Sequence, residues 1–212
     1  MLKVCEIFAS IQGESTYAGL PCVFVRLTGC NLRCTYCDTA YAYEEGREMP
    51  VTDIVDMVRS YGVSLVELTG GEPLLQGDAR TLATALADRG CTVLIETNGS
   101  ISIAGLDSRA VVIMDVKTPG SGMHGMTDLS NLVRLREEDE VKFVITGRSD
   151  YEWSRDFVQK QALAGRCVVL FSPAYGMVSP LELSRWILVD KLPVRLNIQL
   201  HKHIFGPDER GV

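Results

Sequence analysis

The chain has 212 residues, and its 21 basic and 27 acidic side chains leave a formal net charge of −6 at pH 7. Its 46% apolar and 23% charged content is that of an ordinary globular protein, which excludes a mainly disordered or fibrous chain. A chain of this length buries enough apolar surface to fold as one domain, so its stability requires no disulfide or metal ion.

The distribution of apolar, cysteine and charged residues also indicates where the protein is located and what it binds. No apolar stretch approaches the roughly 18 residues that a membrane span needs, and Glu6 interrupts the segment where a signal peptide would be apolar. Seven cysteines, three of them within eight residues, do not resemble a secreted disulfide framework. An acidic chain without a run of Lys or Arg is poorly suited to nucleic acid. We therefore expect a cytoplasmic protein that binds a small molecule, and neither nucleic acid nor a membrane.

Short strands alternate with amphipathic helices along the chain. The first predicted helix has Ile54, Met57, Val58 and Tyr61 at helical spacing, with Thr52 as a candidate N-cap. In chain order we predict strands 4–8 and 22–28, helix 52–61, strand 64–69, helix 79–89, strands 91–97, 111–116 and 141–146, helix 151–163, strand 167–171, helix 180–192 and strand 194–200.

This alternation predicts an α/β fold with a parallel sheet. Residues 110–114 are continuously apolar, as in a strand buried on both faces. About six strand–helix units are too few for a closed eight-unit barrel, so we expect one domain over 1–212, a shortened, open TIM-type barrel of about six strands with helices outside. In such folds the chemistry lies in loops after the strands, and here these are 29–39, 70–73, 98–100, 117–122 and 172–176.

The loop after the second strand carries Cys30, Cys34 and Cys37 in a C-x3-C-x2-C pattern. Three thiolates at this spacing can hold three irons of a 4Fe–4S cluster and leave the fourth iron open to a substrate. A zinc knuckle, which needs a fourth ligand nearby, and unreactive buried thiols are the alternatives. The three histidines are remote in sequence and the loop is polar, so both alternatives fit less well.

With Tyr36 before the third cysteine, this loop resembles the signature of the radical S-adenosylmethionine (SAM) superfamily. The sequence Gly70-Gly71-Glu72-Pro73, which follows a strand, resembles the SAM-binding loop of that superfamily. The resemblance implies a cluster whose open iron binds SAM, and cleavage of SAM to a 5′-deoxyadenosyl radical. The cofactor then performs the chemistry, and we expect no catalytic residue beyond it.

More of the chain resembles one family, 7-carboxy-7-deazaguanine synthase. The matching blocks are residues 11–14, Arg26, 29–39, 69–73, 96–99, 115–119, 121–122, 172–173 and 199–202. The resemblance implies a lyase that converts 6-carboxy-5,6,7,8-tetrahydropterin to 7-carboxy-7-deazaguanine with loss of ammonia, on the route to queuosine. It also implies Mg²⁺ as a further cofactor, a homodimer, and an electron donor such as flavodoxin or ferredoxin.

The same resemblance implies roles for individual positions. Cys30, Cys34 and Cys37 would bind the cluster, and Thr39 would ligate Mg²⁺. The residues implied to contact SAM are Tyr36, Cys37, Asp38, Gly71, Asp115, Val116, Lys117, Ser172, Pro173, Ala174 and Tyr175. Those implied to contact the pterin are Ile11, Gln12, Gly13, Glu14, Arg26, Thr69 and His201.

The residue types suit such a substrate. The Arg26 guanidinium can bind a carboxylate with two hydrogen bonds, while Gln12 and Glu14 offer donors and acceptors to an aminopyrimidinone edge. Taken alone, Arg26 could form a surface salt bridge, Glu14 could be a solvated loop residue and Thr39 could cap a turn. An inward-facing arginine on a barrel strand would need a counter-ion.

Two other functions remain open from the sequence. A glycyl-radical activase shares the three cysteines but acts on a protein, and a non-catalytic iron–sulfur or zinc module would perform no reaction. Elsewhere, we expect Cys5, Cys22, Cys91 and Cys167 to be small core residues. We expect residues 134–140 to form a charged helix end in water.

Overall fold

Nine strands form a single sheet in the computed structural model, which describes residues 1–207 and 209–212. The strands are β1 (Leu2–Ile11), β2 (Pro21–Leu27), β3 (Arg47–Met49), β4 (Leu65–Gly70), β5 (Thr92–Thr97), β6 (Val111–Asp115), β7 (Glu140–Ile145), β8 (Val168–Pro173) and β9 (Arg195–Leu196).

The sheet is open and mainly parallel. Its order is β3-β1-β2-β4-β5-β6-β7-β8-β9, with β3 and β9 at opposite edges. Strands β2 and β4 to β9 pair in parallel, whereas β1 pairs antiparallel with β2 and β3. Six of the parallel strands have five to seven residues and β9 has two. The predicted open α/β fold with about six strands is confirmed.

Helices cover one face of this sheet, and the other face carries a smaller apolar cluster together with the polar side chains of a cavity. Val66 and Leu68 on β4 pack into the main core with Leu82, whereas Glu67 and Thr69 between and beside them line a cavity on the opposite face. Successive side chains of a strand alternate between its two faces, so β4 serves the core and the cavity at once. The helices are α1 (Val51–Ser60), α2 (Asp78–Asp88), α3 (Arg148–Lys160), α4 (Pro180–Asp190) and α5 (Leu200–Ile204).

The structure corrects two predicted element ends. Helix α1 begins at Val51 after Pro50, so Thr52 lies inside the first turn and is not the N-cap. Strand 194–200 was wrong beyond β9, because Leu200 already begins α5 and donates its backbone N–H to Gly13 O at 2.9 Å. None of the described helices is long and apolar enough to cross a lipid bilayer.

Two predictions about burial also need correction. Cys22 is fully buried, but Cys5, Cys91 and Cys167 are only partly buried. Cys5 lies at the irregularity of β1 between Val4 and Glu6, and Cys91 and Cys167 pack against the core directly before β5 and β8. Residues 134–140 do not form a solvated helix end, because Asp139 and Glu140 are buried. Asp139 accepts a 2.8 Å hydrogen bond from the backbone N–H of Val112, which explains its burial.

Candidate functional site

A cavity of about 630 Å³ lies at the carboxyl ends of the parallel strands. Arg26 on β2, Thr69 on β4, Glu96 on β5, Asp115 on β6 and Lys142 on β7 each line it. The loops that follow these strands complete the wall. Ligands of open α/β sheets bind at this edge, so the cavity is the candidate functional site.

The cysteine loop forms one side of the cavity, and Cys30, Cys34 and Cys37 all line it. The Cys30 sulfur accepts a 3.4 Å hydrogen bond from the backbone N–H of Leu32. Thr35 anchors the loop to the segment after β6, since its hydroxyl donates to Gly120 O at 2.7 Å. In the part of the chain that the structure describes, no three His, Cys, Asp or Glu side chains are grouped to hold a single metal ion.

The glycine loop after β4 packs directly against the cysteine loop. A Cβ on Gly71 would lie 2.2 Å from Gly29 O and 2.8 Å from the Cys30 Cβ, so only glycine allows this approach. The buried Glu72 carboxylate accepts hydrogen bonds from Leu74 N at 2.9 Å and Asn98 N at 2.6 Å. Glu72 therefore fixes this loop to its neighbour after β5.

The segment after β6 adds a buried ion pair. Lys117 Nζ donates to Asp115 Oδ2 at 2.7 Å. Burial would lower the pKa of Lys117, but Asp115 and then Tyr36 raise it above its usual value. Asp115 Oδ1 is buried and has no hydrogen-bond partner among the described residues. This oxygen is therefore available to accept a hydrogen bond from a ligand.

Gln12, in the loop after β1, closes the floor of the cavity. Its Nε2 donates to the buried carboxyl of Glu67, and its Oε1 accepts a 3.0 Å hydrogen bond from Glu14 N. Burial, and then the nearby Glu96, raise the pKa of Glu67 well above its usual value. The floor therefore combines a neutral carboxyl with charged neighbours.

Arg26 faces the cavity and has the counter-ion that the sequence requires. Its Nε donates to Glu6 Oε1 at 2.7 Å, and the Tyr41 hydroxyl donates to the same oxygen at 2.8 Å. The guanidinium carbon lies 5.9 Å from the ring centres of both Phe8 and Tyr41. The surface salt bridge considered for Arg26 is therefore wrong, because its side chain is only 16% exposed.

The cavity brings together most of the residues predicted for the site. Val116, Ser172 and Pro173 are buried behind its wall, where the Ser172 hydroxyl accepts a 2.8 Å hydrogen bond from Asn197 Nδ2. The predicted residues that line the cavity are Ile11, Gln12, Gly13, Glu14, Arg26, Cys30, Cys34, Tyr36, Cys37, Asp38, Thr39, Thr69, Gly71, Asp115, Lys117, Ala174, Tyr175 and His201.

Several charged or aromatic residues of the cavity were not predicted from the sequence as site residues. They include Glu67, Glu96, Lys142 and Tyr41. A signal was present for two of them, because Glu67 and Lys142 are single charges within otherwise apolar stretches of parallel strands. A charge in such a strand must face a polar site or a partner.

The chain is similar to known proteins of one superfamily and of one family within it. The family model described as Radical SAM superfamily matches residues 24–119, which include the cysteine loop and the glycine loop. A 7-carboxy-7-deazaguanine synthase of Chlorobaculum tepidum is 43% identical, over 100% of this chain and 97% of the relative. Another, of Koribacter versatilis, is 42% identical over 100% of both chains. The chain belongs to the 7-carboxy-7-deazaguanine synthase family.

A solved structure supports the fold of this family member. The crystal structure of QueE from Escherichia coli matches with a TM-score of 0.76 over 94% of both chains, at 23% sequence identity. At that identity the match bears on the fold alone, and it agrees with the open parallel sheet.

The cavity fits the cofactors of a radical SAM enzyme, a 4Fe–4S cluster and SAM. Three thiols line one wall but are not grouped around a single ion, which suits a cluster in which each thiolate binds a different iron. Beside them, Gly70 and Gly71 line the cavity without a side chain, and Asp115 Oδ1 lacks a described partner. Backbone groups and an unpaired carboxylate oxygen are what the amino and hydroxyl groups of SAM require.

Proposed function

We propose that this member of the family converts 6-carboxy-5,6,7,8-tetrahydropterin to 7-carboxy-7-deazaguanine with loss of ammonia, as a step toward queuosine. The observation that carries the proposal is the shared cavity, whose wall joins the cysteine and glycine loops to Gln12, Glu14 and Arg26. A radical formed at the first group of residues would then meet a substrate held by the second. Such proximity is the main contribution that the polypeptide makes to this kind of reaction.

The side of the cavity proposed to bind the cofactors is formed by the cysteine loop, the glycine loop after β4 and the segments that follow β6 and β8. Cys30, Cys34 and Cys37 would hold the cluster. When bound, the cluster supplies one electron to SAM and so generates the radical that removes a hydrogen atom from the substrate. The residues proposed to form the SAM site are Tyr36, Cys37, Asp38, Gly71, Asp115, Val116, Lys117, Ser172, Pro173, Ala174 and Tyr175. Of these, Val116, Ser172 and Pro173 do not line the cavity and would position the residues beside them.

The substrate side matches the chemistry of a carboxylated pterin. Arg26 donates a hydrogen bond to Glu6 through its Nε alone, and its Nη atoms donate to no other described residue. Two N–H groups of a guanidinium in this state can bind the substrate carboxylate side by side. Phe8 and Phe24, stacked with ring centres 5.1 Å apart, give the cavity an aromatic wall for a flat ring.

The remaining proposed substrate contacts come from the loop after β1 and from the first turn of α5. Gly13 and His201 are packed so closely that a Cβ on Gly13 would lie 2.1 Å from His201 Nδ1. This contact holds His201 over the cavity. The residues proposed to bind the pterin are Ile11, Gln12, Gly13, Glu14, Arg26, Thr69 and His201.

Thr39 is the proposed protein ligand of Mg²⁺. Its hydroxyl lines the cavity and donates to Asp38 Oδ1 at 3.0 Å, so two oxygen-bearing side chains lie together. Mg²⁺ prefers oxygen ligands, retains several waters and is commonly held by one or two protein groups plus substrate oxygens. A cation here would share the space between Thr39 and the substrate.

We infer further properties for the whole chain. One sheet runs through it, which supports a single domain over residues 1–212. Leu181, Leu188 and Val189 on α4 are exposed apolar residues that suit the interface of a homodimer. Flavodoxin or ferredoxin would supply the electron, and the seven unpaired cysteines suit the cytoplasm.

The decisive experiment is an anaerobic assay of the reconstituted protein with SAM, Mg²⁺, a chemical reductant and the carboxytetrahydropterin. Product identified by mass spectrometry as 7-carboxy-7-deazaguanine supports the proposal. Cleavage of SAM without this product would overturn the substrate and leave the radical chemistry in place. A cluster that does not respond to SAM would overturn both and favour a non-catalytic module.

A further inference from the structure

Lys142 is a buried charge to which the proposed function gives no role. It lies on β7, is 4% exposed, and has three carboxylates around its ammonium group. Its Nζ donates to Glu14 Oε2 at 2.9 Å and to Glu96 Oε1, and it lies 3.9 Å from Asp115 Oδ2. A buried ammonium is tolerated only with such partners.

These contacts join elements that are far apart in the sequence. Glu14 lies in the loop after β1, Glu96 is on β5, and Asp115 is the β6 partner of Lys142 in the sheet. The second oxygen of each glutamate is also bound. Gln199 Nε2 donates to Glu14 Oε1 at 3.0 Å, and the Thr69 hydroxyl donates to Glu96 Oε2 at 3.1 Å.

The lysine also favours the ionised form of Glu96. Burial would raise the pKa of Glu96, but Lys142 lowers it to about 2. Burial would lower the pKa of Lys142, yet Glu14 and then Glu96 raise it well above its usual value. The other charged or titratable groups that act on this cluster are Glu67, Asp115, Lys117, Arg26, His201, Asp38 and Glu140.

The two glutamates line the cavity on the side assigned to the substrate. The edge of an aminopyrimidinone ring carries several N–H donors, and ionised carboxylates accept hydrogen bonds more strongly than neutral groups do. Protonation of Glu96 would replace an acceptor with a donor and set it against the substrate N–H groups. The charge of Glu96 therefore bears on recognition as well as on stability.

We propose that Lys142 is a positioning residue, which orients the Glu14 and Glu96 carboxylates as acceptors for the N–H groups of the substrate ring and keeps Glu96 ionised. This inference rests on the proposed function. It differs from a purely structural role, in which Lys142 would only neutralise the cavity floor and its loss would affect SAM and pterin alike.

The test compares Lys142→Met and Lys142→Arg with the wild-type protein across pH, and uses Lys160→Met, an exposed lysine at the end of α3, as the control. In Lys142→Met we expect the KM for the pterin to rise at least about tenfold, with a smaller change in kcat and an unchanged affinity for SAM. Lys142→Arg should recover most of the loss because it keeps the charge. Lys160→Met should behave as the wild type.

The dependence of kcat/KM on pH shows in which direction Lys142 shifts the pKa of Glu96. In the wild type the low pKa of Glu96 keeps the acid limb of kcat/KM, which reports the free enzyme, at low pH. Without the ammonium group the pKa of Glu96 rises, so the acid limb of Lys142→Met should move to higher pH. An acid limb that stays in place, or a parallel loss of SAM affinity, would overturn the proposal.

A double variant guards against a folding defect. Lys142→Met removes the ammonium group and leaves the Glu14 and Glu96 carboxylates without their charged partner. Combining it with Glu96→Gln leaves one fewer unpaired carboxylate. If Lys142 acts through Glu96, its removal costs less in the Glu96→Gln background than in the wild type. An equal cost in both backgrounds contradicts the proposal. Turnover of the pterin by the wild type in the same assay distinguishes a failure of this inference from a failure of the proposed function. If the wild type forms no product, the proposed function itself is wrong.

Discussion

Glu6 Oε1 accepts a 2.7 Å hydrogen bond from Arg26 Nε across the first two strands of the sheet. The pair is possible because β1 and β2 are antiparallel neighbours in which Glu6 and Arg26 are register partners. The contact occupies the Nε side of the guanidinium and leaves the Nη side for a ligand. It therefore orients Arg26 for an anion in the cavity.

Replacing Arg26 with lysine should weaken binding of the carboxylated pterin. An ammonium group cannot form two parallel hydrogen bonds to a carboxylate, so we expect the KM to rise by about tenfold or more. Glu6→Gln should shift the KM in the same direction by less, because the amide oxygen still accepts from Nε. Steady-state kinetics measure both effects.

A tetrahydropterin without the carboxylate provides the control for this interpretation. Its inhibition constant should be the same in the wild type and in Arg26→Lys, because it lacks the group that Arg26 binds. Equal weakening of both pterins would show that Arg26 acts on the shape of the cavity and not on the carboxylate.

Gly71→Ala should separate the glycine loop from the cysteine loop. The new Cβ would overlap Gly29 O, and relief of such overlap typically costs about 1–3 kcal/mol. We expect SAM affinity to fall by at least about tenfold, since the loop that contacts SAM has to move. Equilibrium binding of SAM to the reconstituted protein measures this loss.

Gly77→Ala is the matched control, because the position has φ −53° and open space around the added Cβ. It should keep the affinity of the wild type and its thermal midpoint. Normal SAM binding by Gly71→Ala would contradict the proposed position of SAM.

Cys34→Ala should prevent assembly of the cluster. With one of three thiolates missing, iron content after anaerobic reconstitution should fall well below the roughly four atoms per chain expected of the wild type. Cys91→Ala, a partly buried cysteine outside the loop, should retain full iron. Equal iron in both variants would show that the cysteine loop is not the cluster site.

The residues discussed above differ in whether the sequence alone identifies them. Cys30, Cys34 and Cys37 and the glycines of the loop after β4 lie close in sequence, so their spacing alone predicts their chemistry. Glu6 and Lys142 could not be selected in that way. Their partners are Arg26, in the neighbouring strand, and Glu14 and Glu96, which only the folded sheet brings within reach.

The end of the chain shows a second limit. The apolar residues of 194–200 favour a strand, but only β9 forms, because the backbone N–H of Leu200 finds its acceptor in Gly13 O. A contact between residues so far apart outweighs local strand propensity. The same contact region brings His201 to the cavity, which the sequence alone supported only weakly.

Glu67→Gln should stabilise the protein at neutral pH and have no effect at low pH. Burial raises the pKa of Glu67 in the folded state, so the wild type is most stable below the usual carboxyl pKa and loses stability as pH rises and the unfolded chain releases the proton. Glutamine resembles the neutral acid and cannot ionise. Each pKa unit of difference corresponds to about 1.4 kcal/mol, or about 3–6 °C in a chain of this size.

Thermal unfolding of the apo-protein between pH 4 and pH 8 tests this sign. The midpoint of Glu67→Gln should match the wild type at pH 4 and exceed it increasingly toward pH 8. A difference between the two that is the same at every pH would show that folding does not shift the pKa of Glu67.

Thr39→Val should remove the response to Mg²⁺ while leaving the cluster intact. Valine has the shape of threonine without the hydroxyl oxygen that the cation needs, so added Mg²⁺ should no longer increase product formation. Thr39→Ser, which keeps the oxygen, should restore the response, and Thr52→Val on α1 should have no effect. The measurement is the initial rate against Mg²⁺ concentration at saturating SAM. Full Mg²⁺ stimulation of Thr39→Val would place the cation on other ligands, of which Asp38, hydrogen-bonded to Thr39, is the nearest candidate on the chain.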